Sequence, residues 1–111
     1  MPEVAATGPG PNQFWKQPIT DGETVRVGRS PRTGWEVPWD PYISREHADV
    51  TLNGDVLTVQ RLGTAQNPII FQGNEVDEAA VPPGERFQIG DTLFQLVMED
   101  DVQVEADEDS S

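Results

Sequence analysis

Cysteine is absent from this 111-residue chain and histidine occurs once. The first absence excludes a disulfide scaffold, thiolate metal sites and thiol catalysis together, and a single imidazole is too little material for a histidine-based metal centre. No apolar run approaches the roughly 20 residues of a membrane span, and no positively charged segment precedes an apolar stretch of the kind that directs secretion. These absences predict a soluble, cytoplasmic protein with neither cofactor nor metal. Basic residues are scarce as well. Seven Lys and Arg stand against 20 Asp and Glu, a formal net charge of −13, which opposes the phosphate-driven association on which nonspecific nucleic-acid binding rests. Neither nucleic acid nor membrane is an expected partner. Within this acidic chain, residues 26–45 hold Arg26, Arg29, Arg32 and Arg45 against Glu36 and Asp40, four minus two, a local net of +2.

The length allows one domain whose core can fold without covalent staples. Residues 1–11, with three Pro, two Gly and few large apolar side chains, read as a flexible linker that buries too little to offset its ordering entropy. From residue 12 the pattern changes to short β-branched and aromatic runs separated by turn residues, with no 3.6-residue period, which predicts an all-β two-sheet sandwich over 12–98. Thr24 to Gly28 alternates, Val25 and Val27 inward and Arg26 outward. His47 to Leu52 and Val56 to Leu62 flank Asn53-Gly54, a strong hairpin signal. Further strands are expected at Pro68 to Gln72, Arg86 to Ile89 and Thr92 to Met98, whereas Glu75, Asp77 and Glu78 read as solvated turns. Between Arg29 and Ser44 an ordered loop is expected, with Trp35 and Trp39 packed against the sandwich edge. Residues 99–111 carry seven acids and no base, a self-repelling tail expected to be disordered.

Gly28-Arg29, with Ser44-Arg45-Glu46-His47 beginning fifteen positions beyond Arg29, carries the chemistry. Both pieces lie where strands meet loops. Two guanidiniums offer forked donors matched to phosphate oxygens, and Ser44 adds a hydroxyl for a third. Nothing in the set performs covalent chemistry. There is no second His, no Cys and no carboxylate dyad beside a nucleophile, and Ser44 lacks an adjacent general base, so an enzyme is not expected.

The ordered set of Gly28-Arg29, Ser44-Arg45-x-His47, the hairpin, Asn67, Gly73 and the Ile89-Gly90-Asp91 turn resembles the forkhead-associated (FHA) domain over about residues 12–98. The resemblance implies an 11-stranded sandwich whose loops at one end bind phosphothreonine peptides in extended form. By position, Arg29, Ser44 and Arg45 resemble the family's phosphate-binding residues. Asn67 resembles the Asn that bonds the peptide main chain, and Gly28 and His47 resemble residues that brace the loops. Tyr42 lies where the family often reads the side chain three positions after the phosphothreonine. Pro68 and Gln72-Gly73 depart from the pattern, standing where Gly and Asn-Gly are usual. The implied function is a phosphothreonine-dependent binding module within a larger signalling protein, its partner a phosphothreonine-containing protein or peptide. The alternative is a degenerate domain used as a phosphate-independent scaffold or dimerisation surface.

Overall fold

Short β-branched and aromatic runs broken by Gly and Pro give eleven strands in the computed structural model, which describes residues 2–98. They are β1 (Pro2–Thr7), β2 (Phe14–Pro18), β3 (Thr24–Gly28), β4 (Trp35–Glu36), β5 (Ala48–Asn53), β6 (Val56–Arg61), β7 (Ile69–Phe71), β8 (Asn74–Val76), β9 (Glu78–Val81), β10 (Arg86–Ile89) and β11 (Thr92–Met98). One sheet runs β2-β1-β11-β10-β7-β8, the other β4-β3-β5-β6-β9. Among the described residues no helix is long and apolar enough to cross a membrane. The segment 99–111, read from sequence as a disordered tail, lies outside the described residues.

The two-residue period sets the core. In β5 and β6, Ala48, Val50, Leu52, Leu57 and Val59 turn inward, while Val4, Ala6, Phe87, Ile89, Phe94 and Leu96 do so from the facing sheet, all of them buried. Phe87 and Phe94 are a cross-strand pair whose rings stack with centroids 4.9 Å apart. The expected hairpin is present, with Asn53 opposite Val56 and Ala48 opposite Arg61.

Residues 2–11 are not a linker. β1 lies inside the six-stranded sheet, paired with β11 from Pro2↔Met98 to Thr7↔Leu93 and with β2 on its other edge. The reason is physical. A strand bonded on both sides needs little side-chain burial of its own, and Val4 and Ala6, 1% and 0% exposed, sit opposite Leu96 and Phe94 in the core. The Pro and Gly that suggested flexibility fall mostly in residues 8–11, the turn into β2, where the Gly8 N–H donates to the Gln13 carbonyl at 2.7 Å. Glu75 and Glu78 also lie in strands rather than turns. β8 and β9 are the outer strands of their sheets, and exposed carboxylates there discourage edge-to-edge pairing with another chain.

Four connections meet at one end of the sandwich: β3–β4, β4–β5, β6–β7 and the β10–β11 turn. The antiparallel registers Val27↔Ala48, Ala48↔Arg61 and Ile69↔Ile89 bring them together.

Candidate functional site

Gly28 closes β3 where the β4–β5 loop crosses it, and a Cβ there would overlap the Arg45 carbonyl oxygen. Only glycine allows that approach. Beyond it the two loops bond backbone to backbone: the Arg29 N–H donates to the Ser44 carbonyl at 2.9 Å and the Ser30 N–H to the Arg45 carbonyl at 3.1 Å. Arg29, Ser44 and Arg45 are thereby set side by side without use of their own side chains. Arg29 and Arg45 are exposed and Ser44 is half-buried. Among the described residues neither arginine has an ion-pair partner. The Ser44 Oγ accepts from the Gln66 N–H at 3.1 Å, which leaves its hydroxyl hydrogen to donate elsewhere.

Arg26, counted with the cationic island in sequence, does not belong to it. It projects from the outer face of β3, where its guanidinium donates to Asp49 and Glu46. The hydrogen bond to Asp49 is the main cause that raises its pKa above the ordinary value. A cleft of about 630 Å³ lies on that face between Arg26, Arg32, Trp35 and Asp49. Arg26 is already paired there with Asp49 and Glu46, whereas Arg29 and Arg45 on the open loop surface have no ion pair among the described residues.

His47 is fully buried. Its Nδ1 accepts from the Ser44 N–H at 2.9 Å, so the ring proton resides on Nε2, which donates to the Asn67 carbonyl at 2.8 Å. A backbone N–H can only donate and a carbonyl only accept, so the two partners select one neutral tautomer. Burial is the main cause that lowers the imidazole pKa from its ordinary value; the charge of Arg61 adds to it, while the Asn67 carbonyl and Asp40 oppose it. The side chain thus ties the β4–β5 loop to the β6–β7 loop. A second tie is the Asn67 amide, whose Nδ2 donates to the Tyr42 carbonyl at 2.8 Å.

Asp40 was read from sequence only as a charge set against the arginines, yet it is 1% exposed. One oxygen accepts from the Tyr42 N–H at 2.9 Å; the other accepts from the Asp91 N–H at 2.8 Å and the Thr92 hydroxyl at 2.7 Å. Gly90, at φ 60°, lets the β10–β11 turn close on this carboxylate, since a Cβ there would lie 2.7 Å from it. Asp-Pro-x is a turn signal in which the carboxylate bonds its own backbone two residues on; that signal could have found half of this latch. Trp39 completes it, donating from Nε1 to the Thr92 Oγ at 3.0 Å. Tyr42, 54% exposed, stands over a cleft of about 260 Å³ shared with Asn67, Pro68, Ile70 and Asp91.

The FHA domain family model matches residues 25–90, more than half of the chain. No curated protein matches it in sequence. Among solved structures, the FHA domain of the CT664 protein from Chlamydia trachomatis is 23% identical, with a TM-score of 0.69 over 86% of this chain and 97% of that one. The FhaA FHA domain complexed with the intracellular domain of Rv3910 is 18% identical, with a TM-score of 0.67 over 84% and 98%. Mycobacterium tuberculosis EmbR in complex with a low affinity phosphopeptide is 17% identical, with a TM-score of 0.64 over 86% of this chain and 24% of that one. The glycine that lets two loops zip together, the arginines they display and the histidine beneath them all fall within the matched span, and the chain belongs to the FHA domain family.

Proposed function

We propose that this domain is a binding module for proteins phosphorylated on threonine, and that Arg29, Ser44 and Arg45 hold the phosphate. The observation that carries the reading is the pair of exposed guanidiniums flanking a hydroxyl with a free hydrogen, on loops held by their own backbones. Phosphorylation adds roughly −1.5 to −2 charge and three acceptor oxygens. Forked donors meet them at little ordering cost, because the loops are bonded before the ligand arrives. Asn67 keeps its amide oxygen and one N–H for the peptide main chain, and the peptide continues past Tyr42. Gly28 and His47 act on the loops, not on the phosphate. The relatives in complex with a phosphopeptide and with a partner's intracellular domain support this reading, and a cytoplasmic signalling protein is the setting it fits.

Titration calorimetry with a phosphothreonine peptide chosen from an oriented library, and with its unphosphorylated twin, tests it. Micromolar binding of the first and little of the second is expected. Arg29→Ala should cost about 1.5–3 kcal/mol, one to two decades of affinity, through lost charged hydrogen bonds. Equal binding of the twins would replace this reading with the phosphate-independent scaffold.

A further inference from the structure

Across the outer face of the six-stranded sheet, the row nearest the loops reads Phe14, Thr7, Leu93, Gln88, Ile70 and Glu75, by the registers that link β2, β1, β11, β10, β7 and β8. Phe14 is 57% and Leu93 39% exposed. The next row is Lys16, Ala5, Gln95 and Arg86, polar apart from one methyl. Apolar exposure on this face is therefore concentrated beside the loops. Two depressions meet there. The cleft under Tyr42 reaches Ile70 and Glu75, and a second of about 150 Å³, lined by Ile70, Gln72, Gln88, Leu93 and Arg86, begins at the same Ile70.

We infer that the phosphorylated partner continues beyond the loops onto this face, with an apolar residue on Ile70 and Leu93 and then an acidic residue at Arg86. The inference rests on the phosphothreonine reading and names what the partner carries downstream of its phosphothreonine. Charge decides the order. The first cleft presents Glu75 and Asp91 and disfavours an acid, whereas the only charged side chain of the second is Arg86, which has no ion pair among the described residues. From Ile70 to Leu93 is two strand spacings, about 10 Å, which an extended chain covers in about three residues; Arg86 lies two residues along β10 from Gln88, about 7 Å further. With the third residue after the phosphothreonine at Tyr42, the apolar residue falls at about position six and the acid at about position eight.

The test uses two synthetic phosphothreonine peptides with the same flanks, one ending at position three and one extended with Leu at six and Glu at eight. The wild-type chain should bind the longer one about five- to tenfold more tightly, the worth of one partly buried Leu and an ion pair. Leu93→Asp should remove that gain and Arg86→Glu should reduce it, while both variants hold the short peptide as the wild type does. Leu93→Gln, with its thermal melt recorded, separates loss of contact from loss of fold. Equal affinity for both peptides in the wild type would overturn the inference while leaving the phosphothreonine reading intact. Failure of both peptides to bind at all would overturn both readings. If the free chain self-associates and Leu93→Asp abolishes that, with peptide length immaterial, the face is a contact between copies and the inference is wrong.

Discussion

Asp40→Asn is a nearly isosteric change that removes one of the two acceptors on which three donors converge. In the wild type the oxygen facing Asp91 and Thr92 takes two of them and the other takes the Tyr42 N–H. An amide can preserve only one side. If its oxygen faces the turn, its NH2 opposes the Tyr42 N–H; if it flips, the NH2 opposes the Asp91 N–H and the Thr92 hydroxyl must turn its hydrogen away. A hydrogen bond to a charged group contributes about 1.5–3 kcal/mol and a stranded buried donor costs about 1–3 kcal/mol. A loss of about 2–3 kcal/mol is therefore expected in urea unfolding, with an unchanged denaturant slope, or roughly 8–20 °C in Tm for a domain of this size. The damage should be local. Amide exchange should quicken at Tyr42 and Asp91 and stay slow across the β5–β6 hairpin, whose bonds do not involve Asp40. Phosphate dependence of binding should survive, because His47 and the Arg29–Ser44 backbone bond hold Arg29, Ser44 and Arg45 independently of Asp40, while discrimination among residues near Tyr42 should weaken. An Asp40→Asn chain as stable as the wild type would refute the reasoning, since the carboxylate would then not be what holds the turn.

Three further outcomes are expected. The folded-state pKa of His47 lies below its ordinary value, so the unfolded chain binds the extra proton: the imidazole's contribution is whole above about pH 6.5 and is lost as pH falls through the folded value. Urea midpoints of the wild type and His47→Gln at pH 7.5 and 5.5 check this; a wild-type advantage that grows on acidification would contradict a neutral ring. Gly28→Ala must push the Arg45 carbonyl away, so it should destabilise the fold by about 1–3 kcal/mol, as overpacking does, and weaken phosphopeptide binding even where the chain remains folded; calorimetry with unchanged affinity would mean that the loops do not depend on this approach. Deleting residues 99–111 removes seven acids from a chain whose Arg29 and Arg45, without ion pairs among the described residues, lie on the loops, so phosphopeptide affinity should rise mainly at low salt, where screening is weakest. Unchanged affinity at low salt would exclude competition by that segment.

The parts legible in sequence were those in which local chemistry and long-range packing agree. Asn53-Gly54 between alternating runs specified its hairpin, and Thr24 to Gly28 specified both its inward valines and its terminal glycine. β1 escaped notice because its order comes from β2 across a Gly- and Pro-rich turn at one edge and from the far end of the chain at the other; Val4 is its one β-branched residue before Thr7, too little by itself to mark a strand. β8 and β9 escaped because acidic outer strands resemble turns in composition. At the loops, the grouping of Arg29, Ser44 and Arg45 followed from a motif. Asp40 did not, since burial of a carboxylate depends on donors that lie more than fifty residues on, at Asp91 and Thr92.

Pro2 is paired with Met98, at the end of β11 away from the Gly90–Asp91 turn. The first and last described strands therefore finish side by side at the pole opposite the loops. Anything covalently joined to either strand at that pole leaves from the side opposite the loops, so a compact body attached there starts out facing away from the loop face. A short linker could also join the two strands and the chain be reopened at the β5–β6 turn, on the same far side. Such a permuted chain would keep every loop at the opposite end intact, and it would make the β1–β11 pairing, which now closes only after some ninety intervening residues, a local event in folding.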